Sequence, residues 1–286
     1  MIPTIFAPIK INLNLHVGPP QTDGYHPVDT VCVFPMIGDV LSYDPEAKPG
    51  IDFGGQFGGA LSGEGASNNL IWRAFRLLDL EPQGRFFLQK ETPIASGVGA
   101  GTADGVAAML LLNAVLELGF DADQLRRRSL GLGADGPICM AAQLYGGGLI
   151  RARGIGERID HLGRTEPLAM VVANPGRAVS TGAVFRQFDR AAPDALAPSQ
   201  LSYPLRAQRV MAENRNSLAP IAMGLEPSIE PLLSVMKEQS GSLQAGMSGS
   251  GATCFALHSS LASAEGAARR LQGMGMWAAA STILTG

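Results

Sequence analysis

The sequence predicts a two-domain α+β fold, and three patterns support this prediction. Apolar and polar residues alternate in "IKINLNLHV", residues 9–17, as they do in a half-buried strand. In the middle of the chain a glycine-rich turn leads into the apolar helix "TADGVAAMLLLNAVLEL", residues 102–118. Near the C-terminus a second glycine loop, an apolar strand and the helix "SAEGAARRLQGMG" follow one another. This mixture is typical of α+β proteins, and we expect the two halves to meet near 155–165.

The composition indicates an ordinary globular protein. Of the 286 residues, 46% are hydrophobic and 16% are charged, and the net charge is −3. This charge gives no long-range attraction to nucleic acid or to an anionic membrane, so we expect neither as a partner. Three distant cysteines, Cys32, Cys139 and Cys254, favour free thiols in a reducing compartment. Without a signal-peptide pattern or an apolar run of about 18 residues, the expected location is cytoplasmic. The expected oligomeric state is a monomer or homodimer.

The first half is predicted to begin with a single rigid strand over 9–17. On this strand Lys10 and Asn12 would share one polar face. Further elements follow in order: a loop over 18–27, short strands within 30–43, a surface excursion over 44–66, a helix over 68–80 and a strand over 85–93. Asn68 or Asn69 is the expected N-cap of the helix.

After the helix over 102–118, the first half is predicted to contain a turn and a short apolar helix within 131–143 and a hairpin over 145–159. The second half is predicted to contain a buried strand over 168–176 and a helix over 229–241. The Ala- and Pro-rich stretch from Ala191 to Tyr203 is the expected linker or mobile loop.

The first glycine loop carries Gly97, Gly99 and Gly101 ahead of a helix. Backbone N–H groups in such a turn bind phosphate oxygens, because no Cβ blocks their approach and the helix N-terminus is partly positive. No lysine follows the glycines, which excludes a Walker A loop. Thr102 stands where a dinucleotide-binding fingerprint needs its third glycine, so a dehydrogenase is disfavoured. A phosphate-binding turn and a purely structural turn both remain open.

Asp135, in "LGADGPIC", is a candidate general base for a hydroxyl, provided that a cation lies close enough to orient it. Lys10 is the candidate cation. Taken alone, Asp135 suits an ordinary Asp-Gly-Pro turn, and Lys10 suits a solvated strand face. The second glycine loop, "GMSGSGATCFAL" at 246–257, is likewise by itself a tight turn more often than a site. The four histidines show no zinc-binding spacing, and the metal ligands stay unassigned.

Four segments in order, "APIKINLNLHV" with "DGYH", "PIASGVGAGTADG", "GADGP" and "GMSGSGATCF", resemble one family. It is the small-molecule kinase superfamily that includes galactokinase, homoserine kinase and mevalonate kinase. The pairing of the first segment with "DGYH" resembles the branch that acts on cytidine diphosphate methylerythritol. The resemblance runs from Ala7 to Ile283 and is poor over 189–213.

The resemblance implies an N-terminal ribosomal-protein-S5-domain-2-like α/β domain and a C-terminal ferredoxin-like α+β domain. Residues 1–160 would form the ATP-binding and catalytic domain, and residues 161–286 the substrate-binding domain. The implied activity is ATP-dependent phosphorylation, with Mg²⁺, of the 2-hydroxyl of cytidine diphosphate methylerythritol. This reaction belongs to the non-mevalonate synthesis of isoprenoid precursors.

The resemblance also implies roles for individual residues. Lys10 and Asp135 would form the catalytic pair. The residues implied to contact the substrate are Asn12, Tyr25, His26, Thr181 and Phe185. Those implied to surround the ATP phosphates are Pro93, Ala95, Ser96, Gly97, Val98, Gly99, Ala100, Gly101, Thr102 and Ala103. Gly249 and Ser250 would buttress the site as a structural glycine motif.

Two positions depart from the family pattern. Ala100 stands where the family has glycine, which is harmless only if its φ is negative. Gly136 replaces a valine after the aspartate, which we expect to loosen that turn. Two alternatives stay open: a kinase of the same superfamily acting on homoserine or a mevalonate-type alcohol, and a nucleotide-binding homologue without catalysis.

Overall fold

The structure, a computed structural model, describes residues 2–61, 69–94, 96–191 and 195–286. Ala95 and the alternative N-cap Asn68 fall outside these ranges. The strands are β1 (Thr4–Pro8), β2 (Ile11–Asn12), β3 (His16–Val17), β4 (Val28–Val33), β5 (Gly38–Asp44), β6 (Gly50–Gly54), β7 (Arg85–Gln89), β8 (Leu149–Gly154), β9 (Arg158–Gly163), β10 (Ala169–Asn174), β11 (Ser242–Met247), β12 (Cys254–His258) and β13 (Trp277–Thr282). The helices are α1 (Leu70–Leu77), α2 (Ala100–Val115), α3 (Ala122–Ser129), α4 (Gly136–Tyr145), α5 (Thr181–Arg190), α6 (Ala207–Glu213), α7 (Ala219–Leu225), α8 (Ile229–Lys237) and α9 (Leu261–Gly273).

The first sheet has the strand order β1-β5-β7-β6 and packs against α1 and α2. Tyr43, Phe75 and Phe86 are fully buried in the core between them. The predicted surface excursion over 44–66 is wrong at β6, which pairs in parallel with β7 from Gly50 to Gly54. Glycines at both ends of β6 weaken its sequence signal, which explains the error.

The second sheet has the order β2-β4-β8-β9, with β3 also paired to β4. The single strand predicted over 9–17 is wrong, because the chain leaves the first sheet after Pro8 and joins the second at Ile11. Its polar residues are not solvated: Lys10, Asn12, Asn14 and His16 are all buried. The alternation therefore separates two buried environments, one apolar and one polar.

The third sheet has the order β11-β12-β10-β13, and every pair in it is antiparallel. Helix α8 precedes β11, and α9 connects β12 to β13. This is the ferredoxin-like arrangement that the resemblance implies. The helices bury a second core that includes Leu232, Met236 and Leu271.

The stretch from Ala191 to Tyr203 is not a free linker over its described part. Ser199 donates from its backbone N to Asp29 Oδ2 at 3.0 Å and from Oγ to Asp29 Oδ1 at 2.9 Å. The carbonyl oxygen of Ala197 lies 2.7 Å from His16 Nδ1. Residues 195–200, here called the strap, are therefore fixed to strands of the second sheet.

The predicted helices and hairpin are confirmed with small shifts. Asn69 caps α1, since its side chain accepts from the backbone N of Ile71 at 2.8 Å. Helix α2 begins at Ala100, two residues before the predicted start at Thr102. Strands β8 and β9 form the hairpin. Within the described residues, no helix has the length and apolar character to cross a membrane.

Candidate active site

A cavity of about 680 Å³, here called the main cavity, lies where the two glycine loops, β2 and α5 meet. Most of the predicted site residues line it: Lys10, Asn12, Tyr25, His26, Gly97, Gly99, Thr102, Asp135, Thr181, Phe185, Gly249 and Ser250. Segments that are distant in sequence thus converge on one space, as the predicted roles require.

Lys10 and Asp135 form an ion pair in this cavity. Lys10 Nζ donates to Asp135 Oδ1 at 2.9 Å, and the Lys10 side chain is 6% exposed against 38% for Asp135. Burial alone would lower the pKa of Lys10, but the nearby Asp135 carboxylate, with smaller effects from two cysteines, raises it to about 12. Lys10 is therefore a permanent cation at neutral pH. Asp135 Oδ2 is left to face a ligand.

Gly99 brings the first glycine loop against this ion pair. It is the N-cap of α2 with φ +66°, and a Cβ built on it would lie 3.2 Å from Asp135 Oδ2 and 3.6 Å from Lys10 Cε. A side chain here would be strained and would crowd the pair. The N-terminus of α2, which favours anions, consequently opens beside the Asp135 carboxylate.

The two glycine loops pack backbone against backbone. A Cβ on Gly97, at φ +77°, would lie 2.5 Å from the Gly251 carbonyl oxygen. A Cβ on Gly249, at φ +58°, would lie 2.6 Å from the Gly97 carbonyl oxygen. Only glycine allows both the left-handed backbone and this approach. The second loop thus holds the first one in position.

Asn12 is fixed by a buried polar network. Its Nδ2 donates to Thr30 Oγ1 at 2.8 Å, and its backbone N donates to Ser248 Oγ at 3.1 Å. Sequence analysis did not single out Ser248 as a partner of the first strand. No local pattern reveals it, because 236 positions separate it from Asn12.

The opposite end of the main cavity is aromatic. The rings of His26 and Phe185 lie 4.8 Å apart between centroids, and Tyr25 is 58% exposed. His26 Nδ1 lies 2.9 Å from the Gly18 carbonyl oxygen and therefore donates to it. Thr181 Oγ1 lies 2.8 Å from Ser250 Oγ, which joins α5 to the second glycine loop. The structure thus brings Tyr25, His26, Thr181 and Phe185, which were predicted to contact the substrate, into one cavity.

A second cavity of about 290 Å³ lies on the other side of the first glycine loop. It shares Gly97, Gly99 and Thr102 with the main cavity. Of the other predicted loop residues, it contacts Pro93, Ser96, Ala100 and Gly101. Val98 and Ala103 line neither cavity and are buried in the core. The glycine loop is thus the wall between the two spaces.

A buried charge cluster supports this wall, and sequence analysis missed it. Lys90 Nζ donates to Asp39 Oδ2 at 2.7 Å and to Asp104 Oδ2 at 2.6 Å. Burial raises the pKa of Asp104 to about 7, which Asp39 reinforces and Lys90 opposes. Lys90 and Asp104 both contact the second cavity. A lysine and an aspartate 14 positions apart carry no recognisable motif.

The two departures from the family pattern fit the structure. Ala100 is the first residue of α2, is buried, and is not among the residues with positive φ, so its methyl group causes no backbone strain. The expectation that Gly136 loosens its turn is wrong. A Cβ there would lie 1.8 Å from the Ser129 carbonyl oxygen, so glycine allows this close approach.

No three His, Cys, Asp or Glu side chains converge as metal ligands among the described residues. Magnesium that arrives with a nucleotide needs fewer protein groups, because phosphates and water supply most of its oxygens. The hydroxyl of Thr102, where the cavities join, is a hard oxygen donor that suits this ion. This donor therefore fits Mg²⁺ bound to phosphate.

Family comparisons identify the class of protein. The GHMP kinase N-terminal domain matches residues 69–147, and the GHMP kinase C-terminal region matches residues 201–275. The chain belongs to the GHMP kinases, the small-molecule kinase superfamily that its motifs resemble. It is a kinase of ATP-using type, which excludes the dehydrogenase interpretation.

Similarity over the full length defines the family further. A 4-diphosphocytidyl-2-C-methyl-D-erythritol kinase from Caulobacter vibrioides is 40% identical over 280 residues, which are 94% of this chain and 94% of that protein. The crystal structure of a 4-(cytidine 5'-diphospho)-2C-methyl-D-erythritol kinase superimposes with a TM-score of 0.78 at 28% identity, covering 99% and 100% of the two chains. Homoserine kinase from Cytophaga hutchinsonii shares the fold, with a TM-score of 0.64 at 19% identity over 99% and 94%. Within the GHMP kinases, the chain belongs to the 4-diphosphocytidyl-2-C-methyl-D-erythritol kinases.

Proposed function

We propose that this protein transfers the γ-phosphoryl group of ATP to the 2-hydroxyl of 4-diphosphocytidyl-2-C-methyl-D-erythritol, a step in non-mevalonate isoprenoid precursor biosynthesis. The observation that carries the proposal is the Lys10–Asp135 ion pair, 2.9 Å across, beside Gly99 at the N-terminus of α2. A proton acceptor and a phosphate-binding helix end thus adjoin one another. The names of the full-length relatives support the same substrate.

In this proposal Asp135 is the proton acceptor and Lys10 its partner. The 2-hydroxyl oxygen attacks the γ-phosphorus, the bond from that phosphorus to the β,γ-bridging oxygen breaks, and ADP leaves. The hydroxyl proton passes to Asp135 Oδ2, while Oδ1 stays bonded to Lys10. The Lys10 ammonium orients the Asp135 carboxylate and faces the negative charge of the transferred group. Positioning and electrostatics supply most of the catalysis.

The first glycine loop would hold the ATP phosphates. Backbone N–H groups of residues 97–102 and the N-terminus of α2 favour anionic oxygens. The second cavity, with Leu70, Ile71 and Leu88 in its wall, offers an apolar space for the nucleoside end. Mg²⁺, when bound, would neutralise phosphate charge, and the Thr102 hydroxyl would hold it.

The aromatic end of the main cavity would bind the cytidine. Phe185 and Tyr25 offer ring faces for stacking, and Asn12 lies near Lys10 at the reacting end. The proposal assigns 1–160 to ATP binding and catalysis and 161–286 to substrate binding. We further propose a cytoplasmic monomer or homodimer with a small-molecule substrate and no nucleic-acid or membrane partner.

ADP release tests this function against the alternatives. The protein is incubated with ATP, Mg²⁺ and one acceptor: 4-diphosphocytidyl-2-C-methyl-D-erythritol, homoserine or mevalonate. We expect rapid ADP release with the first acceptor and background release with the others, because homoserine and mevalonate leave the aromatic end empty. A preference for either small alcohol would overturn the proposed substrate. Background release with all three would favour nucleotide binding without catalysis.

A further inference from the structure

Part of the main cavity near the reacting end has an apolar lining. Cys32, Ile138 and Ala152 line the cavity and are only 0%, 1% and 3% exposed. Burial raises the pKa of the Cys32 thiol to about 11, so this side chain is uncharged at neutral pH and behaves as a small apolar group. The mechanism leaves these three side chains, here called the apolar wall, without a role.

The apolar wall adjoins the groups that are proposed to act on the substrate. Ile138 lies in α4, three residues after Asp135 at the N-cap, so both occupy the same side of the helix. Cys32 pairs with Asn12 across β4 and β2, and its Sγ accepts a hydrogen bond from Asn12 Nδ2 at 3.3 Å. Ala152 lies on β8, the strand beside β4. The wall therefore borders both the proposed proton acceptor and a residue proposed to bind the substrate.

The proposed substrate has one feature that suits this wall. Its carbon 2 carries the reacting hydroxyl and a methyl group, and this methyl is the only apolar substituent of the erythritol part. When the hydroxyl faces Asp135 Oδ2, the methyl group lies close by and points in another direction from the same tetrahedral carbon. Contact with a buried apolar surface stabilises a methyl group, whereas contact with charged groups does not.

We propose that Ile138, together with Cys32 and Ala152, binds the 2-C-methyl group and so turns the 2-hydroxyl toward Asp135. This inference rests on the proposed function, which brings that substrate into the main cavity. The 2-hydroxyl is tertiary, and it is therefore the most hindered hydroxyl of the erythritol part. An apolar contact that fixes the methyl group on the same carbon explains how the protein orients this hydroxyl. Ile138 is then a residue that determines substrate specificity.

Turnover of two substrates tests this inference. One is 4-diphosphocytidyl-2-C-methyl-D-erythritol, and the other is its analogue without the methyl group, 4-diphosphocytidyl-D-erythritol. We expect kcat/KM of the unmodified protein to be about tenfold higher for the methylated substrate, or more, although the hydroxyl of the analogue is less hindered. In Ile138→Ala this ratio should fall to about threefold or less, because the methyl group loses its contact with the isoleucine side chain. A purely structural role of Ile138 would lower kcat/KM for both substrates by the same factor and keep the ratio.

A second variant covers the case in which Ile138→Ala does not fold. Cys32→Ser nearly keeps the size of the side chain but places a hydroxyl in the apolar wall, and it should also lower the ratio by about threefold or more. Met140→Ala is the matched control. It truncates a buried side chain of the same helix and the same core, yet Met140 lines neither cavity. This control should keep the ratio of the unmodified protein.

Three results would overturn the inference and leave the proposed function standing. The first is equal use of both substrates by the unmodified protein. The second is an unchanged ratio in Ile138→Ala or, if that variant does not fold, in Cys32→Ser. The third is an equal fall of the ratio in Met140→Ala, which would assign the effect to a general loss of packing. If the unmodified protein phosphorylates neither substrate, the proposed function itself is contradicted.

Discussion

At the scale of single residues, the reacting end depends on a lysine that is almost inaccessible to water. A buried ammonium without a partner would lose its proton or destabilise the fold. Asp135 prevents this at 2.9 Å and stays accessible on its other oxygen. The pair therefore has two functions, since the same carboxylate that stabilises Lys10 is the proposed proton acceptor.

Replacing Asp135 tests its role in turnover. Asp135→Asn should lower kcat by roughly 10²- to 10⁴-fold, because the amide neither accepts the hydroxyl proton nor attracts Lys10. Nucleotide binding and the circular dichroism spectrum should stay nearly unchanged. Asp52→Asn is the control, since Asp52 pairs with Arg85 at 2.8 Å on the first sheet, outside both cavities. Wild-type turnover in Asp135→Asn would contradict the assignment.

At the scale of structural elements, the two glycine loops act as one unit. Gly97 and Gly249 contact each other through their backbones, and each has a φ that favours glycine. The second loop also reaches β2 through Ser248 and α5 through Ser250. Movement of either loop would therefore disturb both the catalytic pair and the substrate end.

Adding a methyl group to the second loop tests this coupling. Gly249→Ala should lower the free energy of unfolding by about 2 kcal/mol, because of the strained backbone and the contact with the Gly97 carbonyl. It should also weaken ATP binding, which fluorescence titration measures. The control is Gly266→Ala in α9, where a Cβ meets nothing within 4 Å. That change should be neutral or stabilise by up to about 1 kcal/mol. Equal free energies of unfolding for the two variants would show that the fold does not depend on the close contact between Gly249 and the Gly97 carbonyl oxygen.

The strap depends on Asp29, which makes stability depend on pH. Burial favours a higher pKa for Asp29, but hydrogen bonds from Arg151 and Ser199 outweigh it and hold the pKa below the ordinary value of 3.8. Arg151 Nε donates to Asp29 Oδ1 at 2.8 Å. Because the folded pKa lies below the unfolded one, the ionised carboxylate stabilises the fold above the ordinary pKa. This contribution is lost as the pH falls through the folded value.

Urea unfolding of Asp29→Asn at several pH values measures this contribution. At pH 7 the free energy of unfolding should fall by about 3 kcal/mol, since Arg151 and Ser199 lose a charged partner. The difference from the unmodified protein should shrink as the pH drops below about 4. Asp160→Asn, an exposed ion pair, should cost less than about 1 kcal/mol at any pH. A difference for Asp29→Asn that stays constant from neutral to acid pH would contradict the linkage.

Across the molecule as a whole, the sequence correctly predicted those elements whose formation depends on adjacent residues. The Asn69 cap, helix α2 and the hairpin of β8 and β9 each follow from adjacent residues. The alternation around Lys10 and Asn12 correctly predicted that both side chains share one face, and both line the main cavity. Motif resemblance predicted the family and the ferredoxin-like sheet, which the strand order confirms.

Long-range contacts account for what the sequence alone could not predict. The burial of His16 depends on the strap, 181 positions away, so the polar face of the first segment resembled a solvated one. Ser248 and the cluster of Lys90 with Asp39 and Asp104 likewise form only when distant segments meet.

Phosphorus NMR of the completed reaction tests the central claim most directly, because it identifies the bond that forms. The protein is mixed with ATP, Mg²⁺ and 4-diphosphocytidyl-2-C-methyl-D-erythritol, and Asp135→Asn serves as the control. We predict that the γ-phosphate resonance of ATP disappears and a phosphate monoester resonance replaces it, while the two diphosphate resonances of the substrate persist. ADP and inorganic phosphate as the only new species would contradict the account, and so would cleavage of the substrate diphosphate.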